Sequence, residues 1–258
     1  MTSSSSSPPE RPDRAAMHRQ NERRVPRPGS YRAVVFDLDG TLLRETNSWG
    51  AMQRKLGPEY VDRSRERWRR YYTGDMTRAG FLEEQVADLR GREAILLDEI
   101  VAEVEYHEGV AAACTSLRAA GLRLAIVSAG LSAIAARVAA DLGMHMHRAN
   151  ILHVADGLFT GDADLLVPPG GKEPAFRETL AALGVPAETV VAVGDSGGDV
   201  DMFRLAGLGV AFCPVSAETA AAADCVIDVP DMRQLLPLVL GEGRDLSTTD
   251  SGSSESRT

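Results

Sequence analysis

Short, uniformly apolar runs recur along the chain at Ala33–Phe36, Leu122–Val127, Val190–Val193, Leu208–Phe212 and Cys225–Val229, each bounded by Gly, Asp or Pro. Apolar residues at successive positions, rather than at alternate ones, suit strands covered on both faces. Between these runs the pattern predicts helices over Val110–Ala120, Ser132–Leu142, Pro174–Leu183 and Val200–Ala206. Alternation of strand and helix predicts the α/β class: a Rossmann-like parallel sheet with helices on both faces.

Two segments break the alternation. Asn47 to about Tyr106 holds no convincing strand and reads as several amphipathic helices, interrupted at Gly57-Pro58, Gly74 and Gly91. A helical stretch inserted after the first strand predicts a small cap domain over 47–106, with the core made of 31–46 and 107–240. From Ile151 to Thr160, Ala155-Asp156-Gly157 supplies a turn between two extended runs, which predicts a β-hairpin beside the sheet. Residues 1–30 are rich in Ser, Pro and Arg and 241–258 in Ser and Gly, so both ends read as disordered tails.

Composition narrows the function. A formal net charge of -9 over 258 residues speaks against a general nucleic-acid binder, because phosphate backbones call for a basic surface. It leaves room for a small phosphorylated metabolite. Cys114, Cys213 and Cys225 are odd in number and widely scattered, with the spacing of neither a disulfide framework nor a zinc site. No apolar run is long enough for a bilayer. Arg23-Arg24 is followed by Pro26 and Pro28 rather than by the apolar stretch of a signal peptide, so the expected address is the cytoplasm, with no membrane partner.

Ligands of open α/β sheets bind beyond the carboxyl ends of the strands, so the residues after each strand are the ones to inspect. After the first strand come Asp37, Asp39 and Thr41, with Gly40 permitting a sharp turn. Taken alone, Asp-x-Asp could simply cap that turn. The second strand, however, is followed by Ser128-Ala129-Gly130, a hydroxyl and backbone amides leading into a helix. The strand ending at Val193 is followed by Gly194-Asp195-Ser196-Gly197-Gly198-Asp199, and Lys172 comes after the Pro168–Gly171 turn. Four acids, two hydroxyls and one ammonium thus gather at one edge. Acids so crowded repel one another unless a cation sits among them, and hard oxygen ligands without His or Cys favour Mg2+.

Asp37-Leu38-Asp39-Gly40-Thr41, then Ser128, then Lys172, then Gly194-Asp195 with Asp199, resembles the four-motif signature of haloacid dehalogenase superfamily phosphohydrolases. The helical insertion, Asn150 and the Asp156–Gly161 hairpin resemble the phosphoserine phosphatase-like branch. The resemblance implies a magnesium-dependent phosphatase in which Asp37 attacks phosphorus and Asp39 serves as acid and then base. It implies a metal held by Asp37, the Asp39 carbonyl and Asp195, with Asp199 orienting a water or Lys172. Thr41, Ser128, Ala129 and Lys172 would bind the phosphoryl oxygens. The departures concern phosphate or metal binding at Gly198, and the substrate at the other positions. Gly198 stands where many relatives carry Asn, Thr46 where phosphoserine-specific members carry Glu (Glu45 is one place early), and Asp88 where their cap Arg falls, unless a gap brings in Arg90 or Arg92.

The same residues admit other chemistry. A phosphotransferase shares the aspartyl-phosphate step. Gly194-Asp195-Ser196-Gly197-Gly198 also fits the serine-hydrolase elbow, but that order needs a histidine after Ser196, and all five histidines precede it. Arg63, Arg65, Arg67, Arg69 and Arg70 around Trp68 are expected to form a solvated helix face rather than a substrate grip.

Overall fold

The computed structural model of the protein describes residues 27–168 and 171–241. The expected tails therefore lie almost wholly outside the described residues, as do Pro169 and Gly170 of the turn before Lys172. The described residues form a seven-stranded sheet: β1 (Ala33–Phe36), β2 (Arg123–Leu131), β3 (Met146–Ala155), β4 (Leu158–Asp164), β5 (Val190–Gly194), β6 (Leu208–Phe212) and β7 (Cys225–Ile227). Their order is β4-β3-β2-β1-β5-β6-β7, and every pairing is parallel except β3 with β4. The α/β expectation holds.

The helices are α1 (Ser48–Leu56), α2 (Pro58–Tyr72), α3 (Arg78–Ala87), α4 (Ile95–Ala102), α5 (Val110–Ala119), α6 (Ser132–Leu142), α7 (Glu173–Leu183), α8 (Val200–Leu205), α9 (Ala217–Ala222) and α10 (Leu235–Leu240). Helices cover both faces. Val34 and Phe36 of β1 pack into one core with α5 and α6, while Ala33 and Val35 pack into the other with α7 and α8. Burial on both faces is why β1 and β5 carry no polar residue at all.

Three local readings are corrected. The hairpin is not beside the sheet but part of it: its first arm begins at Met146 and pairs with β2, and its second forms the sheet edge. The run Met146-His147-Arg148 hid that strand because its outward residues are polar. Asp156 and Gly157 make the turn, both left-handed at φ 52° and 77°, as a two-residue hairpin loop requires. β7 stops at Ile227, two residues short of Val229, and α9 and α10 had no counterpart in the sequence reading.

Helices α1 to α4 occupy the insertion. The chain leaves and re-enters the core through a paired neck, in which Arg44 donates its N–H to the Glu105 carbonyl (2.9 Å) and His107 to that of Leu42 (3.1 Å). Met76, Phe81 and Leu82 form a separate small core there with Trp68, Tyr71 and Leu165.

Candidate active site

β1, β2 and β5 are adjacent and in register, Phe36 lying level with Ile126 on one side and Val193 on the other. The residues that follow β1 and β5 therefore emerge level with the irregular carboxyl end of β2, which runs past its expected end at Val127 to Leu131 and so includes Ser128 and Ala129. Asp37 keeps the β pairing for one more step, donating its N–H to the Val193 carbonyl (2.8 Å), and its side chain enters the crevice. Gly40 then turns the chain at φ 77°. A Cβ there would lie 2.5 Å from an Asp195 oxygen, so only glycine lets the two loops meet this closely.

The gathered groups are almost entirely buried. Asp37, Asp195 and Asp199 each offer a carboxylate oxygen within 4.8 Å of the others. Lys172, at the amino end of α7, places Nζ 2.5 Å from Asp37 Oδ1 and 2.7 Å from Asp199 Oδ1. Asp199 has its other oxygen fully engaged: Oδ2 accepts the N–H groups of Asp195 (3.0 Å) and Ser196 (2.9 Å) and the Ser196 hydroxyl (3.1 Å). Thr41 donates its hydroxyl to Asp195 Oδ1 at 3.0 Å. Ser128 accepts the Gly130 N–H at 3.0 Å, and the Ala129 carbonyl is clamped by Trp49 Nε1 (3.0 Å) and Asn150 Nδ2 (2.8 Å).

Electrostatics follow from burial. Loss of water raises the Asp37 carboxyl well above the ordinary range and Asp199 and Asp195 push it further, while Lys172 draws it back. Burial, with Asp199 beside it, pushes Asp195 up to about 7. Burial alone would lower Lys172, but Asp199 and Asp37 more than offset it and hold the ammonium charged. Three carboxylates face one ammonium, which leaves negative charge uncompensated. The donor set is all hard oxygen, small and buried, and it fits a divalent cation of the magnesium type.

Asp39 stands apart from this cluster. Its Oδ2 accepts the N–H of Ser48, the first residue of α1, at 2.7 Å, and its Oδ1 is buried without a hydrogen-bond partner among the described residues. Burial raises its pKa, and Ser48 counteracts this. The structure thus brings Asp37, Asp39, Thr41, Ser128, Ala129, Lys172, Asp195 and Asp199 to one crevice, with the Thr41 hydroxyl directed at Asp195. Sequence reasoning passed over Ser48 and Trp49; the Thr-Asn-Ser cluster opening a helix was the available signal. Ser196 is tied to Asp199 and has no histidine among its hydrogen-bond partners here. Asp88, which stands where the cap Arg of phosphoserine-specific members falls, pairs with Arg67 and Arg63 (3.2 Å); of the two alternatives, Arg92 lies over the Tyr60 ring and Arg90 lies 3.8 Å from Asp162.

Comparison with known proteins agrees with this arrangement. Residues 34–204 match the family of haloacid dehalogenase-like hydrolases. The chain is 31% identical over 222 residues to phosphoserine phosphatase SerB2 of Mycobacterium tuberculosis, covering 86% of this chain and 53% of that protein. It is 32% identical over 214 residues to the phosphoserine phosphatase of Streptomyces coelicolor, covering 81% and 50%. The chain therefore spans about half the length of these two relatives. Among solved structures, a phospho-aspartyl intermediate analogue of phosphoserine phosphatase superposes with a TM-score of 0.70 at 25% identity, over 81% of this chain and 99% of that one. The protein belongs to the haloacid dehalogenase-like hydrolase family, in its phosphoserine phosphatase-like branch.

Proposed function

We propose that this chain hydrolyses a small phosphomonoester with the help of Mg2+, through a phosphoryl group carried on Asp37. The observation that carries the reading is the buried meeting of Asp37, Asp195 and Asp199 around the single ammonium of Lys172. Asp37 is the nucleophile: one carboxylate oxygen attacks phosphorus as the ester oxygen leaves. Asp39 gives that oxygen its proton and afterwards takes one from the water that cleaves the acyl phosphate. Its raised pKa and its separate position at the end of α1 suit a proton carrier.

Lys172 neutralises the transferring phosphoryl oxygens, with the Ser128 hydroxyl and the Ala129 backbone beside it. Thr41 acts through Asp195, and Asp199 acts by holding Lys172 and the loop at 195–196. Asp37, the Asp39 carbonyl and Asp195 would hold the cation, which supplies charge neutralisation to the phosphate when bound. We take residues 47–106 as a cap that excludes water from the crevice. The three unpaired cysteines fit a reducing cytoplasm.

The test is Asp37→Asn. It should abolish phosphate release from an aryl phosphate, roughly 10⁴-fold or more, while circular dichroism and the thermal midpoint remain those of a folded protein. Retained turnover in that variant refutes the nucleophile.

A further inference from the structure

The carboxyl end of β2 is longer than the ladder it belongs to. Val127 lies opposite Arg148 of β3 and Leu131 opposite Asn150, so Ser128, Ala129 and Gly130 all pass a single residue, Ala149. On the other side β1 ends at Phe36, level with Ile126. The backbone groups of 128–130 are therefore out of step with both neighbouring strands. A carbonyl left out of the ladder needs a donor from elsewhere. That of Ala129 has two: Asn150 Nδ2 from β3 (2.8 Å) and Trp49 Nε1 from α1 of the insertion (3.0 Å). Asn150 is 1% exposed and has no spare donor. Its Nδ2 also donates to the Val167 carbonyl (2.9 Å), and its Oδ1 accepts the Val167 N–H (2.9 Å).

We propose that Asn150 and Trp49 are positioning residues for phosphoryl transfer, which aim the Ser128 hydroxyl through a single peptide unit. The proposal rests on the phosphatase reading above and deepens it. The Ala129 carbonyl and the Gly130 N–H belong to one planar trans peptide and point in opposite directions. Fixing the carbonyl from two sides therefore fixes the N–H, which donates to Ser128 Oγ at 3.0 Å. With that lone pair occupied, the hydrogen of Ser128 is turned away from Gly130 and is left to donate to a phosphoryl oxygen. Donors on the carbonyl also polarise the peptide, which strengthens its N–H. Gly130 lets this peptide lie against α1, since a Cβ there would fall 2.5 Å from Ser48 Oγ. Trp49 comes from the insertion and Asn150 from the core, so the peptide is fully held only while the two stay together. Neither belongs to the cluster of Asp37, Asp195 and Asp199.

The experiment measures phenyl phosphate turnover with Mg2+, inhibition by inorganic phosphate and the Mg2+-induced thermal shift. Trp49→Phe keeps a ring and drops the N–H. It should lower kcat/KM about three- to tenfold, the usual worth of one hydrogen bond, and weaken inorganic phosphate to the same degree. The thermal shift should stay as in the wild type. In a Ser128→Ala background the same change should cost less than about twofold, because residues acting through one another are not additive. Asn150→Asp keeps the shape and loses both N–H groups, and should cost at least about tenfold in kcat/KM. The Trp49 cycle decides the matter by itself where that variant does not fold. An equal loss from Trp49→Phe with and without the Ser128 hydroxyl overturns the proposal and leaves the phosphatase intact. So does wild-type turnover in Trp49→Phe or in folded Asn150→Asp, or a Mg2+ shift that disappears along with activity. A wild-type protein that hydrolyses no phenyl phosphate overturns the phosphatase reading itself, and this proposal with it.

Discussion

In α2 of the insertion, Arg63, Arg65, Arg67, Arg69 and Arg70 each face a carboxylate: Asp88, Asp62, Asp88, Glu66 and Glu84 respectively. At the carboxyl edge of the sheet, Asp37 and Asp199 share Lys172, and Asp195 crowds against them with no cation of its own among the described residues. Both places are dense in charge, yet the first is balanced by its own side chains and the second is not. The cap pairs are mostly in water, where screening makes them cheap to form and nearly neutral in energy. The sheet-edge acids are buried, where uncompensated charge is expensive and persists only if something outside the chain neutralises it. The site is therefore identified by an imbalance under burial, not by charge density.

Removing the one internal counter-charge exaggerates the imbalance. Lys172→Met should lower kcat/KM for an aryl phosphate by roughly 10²–10³-fold, the usual loss when a donor to developing phosphoryl charge is removed. It should also destabilise the metal-free protein at neutral pH by about 3 kcal/mol, because Asp37 and Asp199 are left facing each other without a cation. Urea denaturation measures the second effect independently of the first. Unchanged stability would mean that the acids do not share the ammonium as the geometry has it.

Supplying the external counter-charge should reverse the effect. Asp37 and Asp195 bind protons more readily in the folded chain than in the unfolded one, Asp195 at about 7 against an ordinary 3.8. Where the native state holds the extra proton, stability falls as pH rises, so the metal-free protein should lose stability between about pH 4 and 7. A bound cation replaces that proton. The rise in thermal midpoint on adding Mg2+ should therefore grow from pH 5 to pH 7.5, and a shift independent of pH would contradict the assignment.

Within the cap, Arg67 is the exception that sharpens the contrast. Its side chain is only 3% exposed and that of its partner Asp88 12%, so this pair belongs to the buried class although it lies in the balanced region. Arg67→Ala should cost about 1.5–3 kcal/mol in urea denaturation, since it removes the buried partner of Asp88 and leaves it only the exposed Arg63. The Mg2+-induced thermal shift should survive, because Arg67 and Asp88 are no part of the cluster of Asp37, Asp195 and Asp199 proposed to hold the cation.

The parts that could be read from the sequence are those in which one local pattern decides the outcome. β1 and β5 are apolar at every position because both faces are covered, and α6 runs from Ser132 to Leu142 because its apolar face repeats cleanly up to Gly143. The acids Asp37, Asp195 and Asp199 were legible because each follows a strand in a glycine-bearing loop. β3 was not, since an edge-side strand with His147 and Arg148 lacks the doubly buried signature. α10 was not, since its six residues, Leu235–Leu240, are apolar at every position and show no helical period. The partnership of Asp39 with Ser48, and of Asp88 with Arg67, depends on how the insertion packs, which no single segment encodes.

Arg65 sets the lower bound of the comparison. It meets Asp62 at 3.2 Å across one turn of α2, with the two side chains 76% and 73% exposed. Water and salt already screen both charges, and ordering two long side chains opposes what attraction remains. Arg65→Ala should leave the urea midpoint, the Mg2+ response and aryl phosphate turnover where they were. A measurable loss of turnover would place Arg65 on the substrate, and the cap arginines would then have to be counted as part of the site rather than as a self-balanced surface.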